Sequence, residues 1–150
     1  MSGRVDKTEL IARLTQFSQA PSRNHIAFVS QCDDVFRFVD VGIALSKELV
    51  GIVSDNQLSL KARDCLNDIL NSNLSNSETI ENYLAIKNIG ILFEPILKLD
   101  IEALFNRWSQ NMILIVDMKQ GLVVQDKYYL SQQTERYSID LHEMNYIVLK

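Results

Sequence analysis

The chain has 150 residues, a formal net charge of −4, 47% hydrophobic and 23% charged residues. One domain of this length buries roughly 70% of its unfolded surface and needs neither a disulfide nor a metal to hold it. The ordinary balance excludes collagen-like and disordered classes, and no stretch is basic enough to follow a phosphate backbone, which speaks against direct nucleic-acid binding by the isolated chain.

The segment Met1–Lys7 is polar and lacks the apolar core of a signal peptide. The longest apolar runs are five or six residues, against the roughly 20 that cross a bilayer. The expectation is a single cytoplasmic domain over residues 1–150 that makes no membrane contact. Asp6 caps a first predicted helix, with Glu9 at the capping-box position and Leu10, Ile11, Leu14 and Phe17 at helical spacing, and Ala20-Pro21-Ser22 ends it. His25–Ser30 and Phe36–Val41 read as strands, and Ile43–Val50 as a short helix. Ser54–Gln57 is a turn, and Ser59 caps a helix with Ala62, Cys65, Leu66, Ile69 and Leu70 on its apolar face.

Asn71–Ser77 is a polar loop, followed by a helix to Ala85 that buries Ile80, Tyr83 and Leu84. The run Ile89–Phe93 is apolar throughout and reads as a central strand buried on both faces. Asp100 caps a helix carrying Ile101, Leu104, Phe105 and Trp108, and Met112–Val116 is a second buried strand, so residues 89–116 form a βαβ unit. Segments at Gly121–Val124, Lys127–Leu130, Tyr137–Ile139 and Tyr146–Leu149 alternate with polar turns and predict a β-meander on one edge of the sheet.

Catalytic signatures are missing. A phosphate-binding loop needs G-x-x-x-x-G-K-[ST] after its first strand, so that backbone N–H groups wrap the phosphates while Lys neutralises them. Here Gln31-Cys-Asp-Asp-Val35 follows the strand, with no Gly, no Lys and two carboxylates. Only these five residues precede the next strand, fewer than the dozen or more of a helical parallel crossover. His25 and His142 have no pairing logic, and Ser30, Ser46 and Ser109 lack the glycines of a nucleophile elbow. Asp33-Asp34 reads as a turn or cap. Cys32 and Cys65 stand without a CxxC partner and read as small buried apolar residues. No cofactor, metal or catalytic residue is expected. Glu94 follows a buried strand at its carboxyl end, where α/β sheets place ligands, and is the best single functional candidate, beside a structural role in its loop.

Two stretches resemble a known family. Asp40-Val-Gly-Ile-Ala-Leu-Ser-Lys-Glu-Leu49 is similar to a hNhGxALSxxL segment, and Lys87–Asp100 with Leu104 and Ser109-Gln-Asn111 is similar to DNIExLFxPxLKLDxxxLLxxLSxN. Both belong to the small P-loop proteins of type 3 BREX phage-defence loci, the BrxF-like family, and the resemblance covers residues 40–116. It implies a P-loop-NTPase-like three-layer sandwich with a central, mostly parallel sheet, here lacking the phosphate loop. Lys87 falls where the family has its magnesium-site Asp, and Gly90 where an acid follows, so the resemblance implies an inactivated domain.

Its implied role is a non-catalytic interaction or regulatory subunit of an anti-phage complex. The partners would be other proteins of the locus (a large ATPase, a methyltransferase or a phosphatase-like subunit), with homo-oligomerisation allowed. Two alternatives stand beside it: an ATPase whose site a partner completes, and a DNA-binding accessory subunit. The expected partner interface is the segment Glu94, Pro95, Ile96, Leu97, Lys98 and Leu99. Its apolar members would supply area, and Glu94 and Lys98 a polar rim.

Overall fold

The structure, a computed structural model, describes residues 7–30, 36–51, 55–72, 83–110, 112–118, 121–131 and 134–149. The chain order is α1 (Lys7–Ser18), β1 (Ile26–Val29), β2 (Phe38–Asp40), α2 (Val41–Leu49), α3 (Asp55–Ser72) and β3 (Tyr83–Lys87). Two 3-10 segments (Ile89–Phe93 and Pro95–Leu97) and α4 (Ile101–Trp108) lead to β4 (Ile113–Asp117). The tail holds β5 (Leu122–Val124), β6 (Lys127–Ser131), β7 (Thr134–Asp140) and β8 (Tyr146–Leu149).

Among the described residues, five strands form a central sheet in the order β2-β3-β4-β1-β8. Every pairing in it is parallel, with Ile26 of β1 opposite both Leu114 of β4 and Tyr146 of β8. Side chains alternate across this sheet as the pleat requires. Ala27, Val29, Tyr83, Ala85, Ile113 and Ile115 face α1, which lays Leu10 and Leu14 on them from one helical stripe. Ile26, Phe28, Leu84, Ile86, Leu114 and Val116 face the opposite way, into the larger cluster built by α2, α3, α4 and the tail. The expected α/β class with a mostly parallel sheet and helices on both faces is what the chain adopts.

Several elements differ from the sequence reading. Tyr83–Ala85 belongs to strand β3 instead of a helix, with burial on four successive residues; Ile80 lies outside the described residues. The expected strand Ile89–Phe93 is a 3-10 helix. Two short, mostly apolar segments, Tyr83–Lys87 and Ile89–Phe93, compete for one place between β2 and β4. Asn88 adopts a left-handed φ of 55° between them and stops the strand there. The βαβ unit therefore runs from Tyr83 to Asp117. Helix α3 starts at Asp55 and ends at Ser72, so Ser59 sits inside it, Asp55–Gln57 is helix instead of turn, and Asn71 and Ser72 belong to the helix. The proposed Asp6 cap lies outside the described residues.

The tail also departs from expectation. Strands β5, β6 and β7 make a separate antiparallel sheet, so the meander is not an edge of the central one. It packs on the larger cluster, where Tyr128 stacks on Phe28 with ring centroids 5.1 Å apart. Gly121 permits this approach, since a Cβ there would meet Tyr129 O at 2.5 Å and the Tyr128 hydroxyl at 2.9 Å. Strand β8 leaves the meander and joins the central sheet beside β1.

The passage from β1 to β2 bypasses β4 and β3, yet only residues 30–37 separate the two strands. Eight residues can reach about 28 Å, enough for three strand spacings of about 4.8 Å and a return along the strand. The link is shorter than a helical crossover. Phe36 at its end is buried on the α1 side, edge-on to Tyr83 at 5.4 Å.

Candidate interaction surface at the carboxyl edge of the sheet

The parallel strands bring their carboxyl ends to one edge: Asp40 of β2, Lys87 and Asn88 at β3, Asp117 and Met118 at β4, and Ser30 after β1. Beyond β1, Cys32, Asp33 and Asp34 lie outside the described residues. Asp40 does two jobs. Its carboxylate accepts the Ile43 N–H at 2.9 Å and so caps α2. The same oxygen accepts from the Asn88 side-chain amide at 2.9 Å. Gly42 makes room for that contact, since a Cβ would stand 2.4 Å from the Asn88 amide nitrogen. The positive end of α2 is thus answered by the chain's own carboxylate.

Lys87 is half-buried and pairs in register with Asp40 on one side. On the other side, one step beyond the Ile86–Val116 pair, stands Asp117, which is only 7% exposed. Met118 N–H donates to Val29 O at 2.8 Å and ties the ends of β4 and β1 together. Burial, and then the charge of Asp117, push the Tyr128 hydroxyl up to about 12.

The segment proposed from sequence as an interface divides in two. Glu94, Pro95 and Lys98 are exposed, whereas Leu97 is 3% exposed and belongs to the core. Leu97 therefore contributes no contact area, a correction that follows from the 3-10 turn: Leu97 N–H donates to Glu94 O at 3.1 Å, which turns the side chain inward. Leu99 is partly buried against the same core, and the Ile96 side chain lies outside what is described. Glu94 lines an open cavity of about 680 Å³ with Ile43, Ser46, Lys47, Asn88 and Ile91. Ile43 is 54% exposed there, and no local pattern pointed to it, because residues some 50 positions apart build the cavity. Lys98 and Leu99 line a second cavity, between α3 and α4.

Other residues singled out from sequence are structural. His25 Nε2 lies 2.9 Å from Ala20 O. Ser109 is buried and its hydroxyl donates to Phe105 O at 2.7 Å. The same hydroxyl accepts from Asn24 Nδ2 at 3.1 Å, locking the entry of β1 to the end of α4. Trp108 is core, and Cys65 is buried, which pushes its thiol up. His142 is exposed and its N–H donates to Asp140 at 2.9 Å. Among the described residues, no group of three His, Cys, Asp or Glu is arranged to hold a metal ion, and no helix is long and apolar enough to cross a membrane. Comparison with protein-family models, with curated proteins and with solved structures returns no match.

Proposed function

We infer that this chain is a non-catalytic interaction subunit on a P-loop-like α/β domain, acting through its carboxyl-edge surface in a bacterial anti-phage complex of the BREX type. One observation carries the loss of nucleotide chemistry. β1 and β4 are neighbours whose onward connections run opposite ways, to β2 and to β8. That divergence is a topological switch point, and α/β sheets bind ligands outside the carboxyl ends of the strands there. A phosphate loop would follow β1 at this place. The sequence supplies Gln31-Cys-Asp-Asp-Val35 instead, with no Gly, no Lys and two carboxylates.

These carboxylates repel a triphosphate. On the family resemblance, Lys87 replaces a magnesium-site Asp, and it stands in register with Asp40 at the end of β3. The exposed group Ile43, Lys47, Glu94 and Pro95 supports a protein contact at the same edge, with apolar area and charges of both signs. The defence setting rests on the segments at 40–49 and 87–111.

Calorimetry with magnesium and ATP is the direct test: no stoichiometric binding is expected, and micromolar affinity would replace this reading by an ATPase completed by a partner. Copurification from the native locus tests the surface. Glu94→Lys and Ile43→Asp should leave the melting temperature nearly unchanged, as exposed changes do, yet reduce partner recovery and phage resistance. Full recovery with both variants would refute the interface.

A further inference from the structure

We propose that the cavity between α3 and α4 is a socket for a partner segment in which an apolar side chain is flanked by carboxylates. The cavity measures about 220 Å³ and has Leu99, Ala103 and Leu104 as its apolar lining. Three cations from three elements surround it: Arg63 of α3, Lys98 after the second 3-10 segment, and Arg107 of α4. Its volume lies below the roughly 300–1,000 Å³ of drug-sized ligand pockets. It suits one anchoring side chain.

The charge pattern names the ligand. This chain is acidic overall, at −4, yet its cavity rim carries three cations and one acid. That acid, Asp100, is committed to its own helix, accepting the Ala103 N–H at 3.1 Å. Arg107 is steadied by a neutral group, donating to Asn67 Oδ1 at 2.9 Å, so its charge is positioned without being cancelled. Guanidinium forks match carboxylates in two-point geometry. An apolar floor inside a cationic rim is the complement of an acidic segment with an apolar anchor.

Lys98 is the C-cap of the second 3-10 segment, its N–H donating to Pro95 O at 3.1 Å. Its φ of 51° lies in the left-handed region, which glycine enters freely and other residues enter at a cost. The socket rests on the reading of the Glu94–Leu99 segment as a partner interface and gives that interface a chemistry: Glu94 serves one cavity and Lys98 the other.

The test uses the full chain and a fluorescein-labelled peptide with one leucine between two pairs of glutamates, read by fluorescence anisotropy. The acidic peptide should bind about tenfold more tightly than its glutamine counterpart at low salt, as charge complementarity requires, and lose that margin in high salt. Arg63→Gln with Arg107→Gln should remove the preference without lowering the melting temperature. Lys98→Gly should weaken binding severalfold while melting no lower, because it relieves the backbone. Equal affinity for both peptides, no binding, retention of the preference in the double variant, or tighter binding of single-stranded DNA would each overturn the proposal. Magnesium-ATP binding would sink the preceding functional reading and leave this result standing, so the two failures are distinguishable.

Discussion

The two faces of the central sheet are covered in different ways. On one, among the described residues, α1 supplies Leu10 and Leu14, joined by Phe36. On the other, α2, α3, α4 and the antiparallel tail bury side chains drawn from residue 26 to residue 141. Strand residues cannot tell these faces apart, since both carry fully buried aliphatic side chains at alternate positions. The difference lies in the covering layer, and both cavities assigned to partner contact belong to the composite one. A layer assembled from many short elements leaves seams where they meet, whereas a single helix on a sheet leaves few.

Core truncations test this contrast most severely. Phe28 lies under Tyr128 and joins the sheet to the tail, so Phe28→Ala should cost about 3–5 kcal/mol, the usual range for a buried Phe. Denaturation in urea measures it, and an unchanged midpoint would show that the tail does not pack there. Leu14→Ala on the single-helix face should cost about 2–4 kcal/mol. Its hydrogen-exchange signature should differ from that of Phe28→Ala, with protection lost in α1 before β5–β7. If both variants open the same amides, the two faces are not energetically separate.

A smaller effect is expected at the carboxyl edge. Gly42→Ala puts a Cβ 2.4 Å from the Asn88 amide and 3.1 Å from the Asn88 carbonyl. The Asn88 side chain can turn away only by giving up Asp40, so a loss of about 1–3 kcal/mol should follow, as for other overpacked sites. Thermal melting would record it, and a neutral outcome would mean that the Asp40–Asn88 contact is dispensable.

The smallest effect is absent at neutral pH. Tyr128 and Tyr146 both hold their protons to about 12 in the folded chain, against an ordinary value of 10. Burial leads at Tyr128, and the hydrogen bond donated to Asp126 at 2.7 Å leads at Tyr146. The unfolded chain therefore gives up these protons first. Stability from both groups is complete below pH 10 and declines as pH climbs toward 12. Tyr128→Phe should flatten part of that decline, and an identical alkaline profile would assign it elsewhere.

What could be read from sequence follows from how far each signal reaches. Helices α1 and α4 and strands β1 and β4 were legible because a stripe, a cap or a compact apolar run is local. Asp100 capping Ala103 is contained within four residues. The exchange of roles between Tyr83–Lys87 and Ile89–Phe93 was not legible, because short apolar runs suit a buried strand or a buried turn equally. The candidate site was half legible. Glu94 and Lys98 were found, but Leu97 turned inward, and Ile43, Arg63 and Arg107 come from elsewhere in the chain. The Asp40–Asn88 pair spans 48 positions, beyond the range of any periodicity.

The position of β1 bears on how the chain acquires its fold. Its neighbours are β4, beginning at Ile113, and β8, beginning at Tyr146. The second strand-forming segment to pair with it therefore emerges from a ribosome some 120 residues after β1 itself, a delay read from these bounds. Until β4 emerges the apolar run Ile26–Val29 has no ladder to join, and long-range parallel pairing of this kind is slow and exposed to aggregation. Synthesis should then leave one edge of β1 open until β8 arrives.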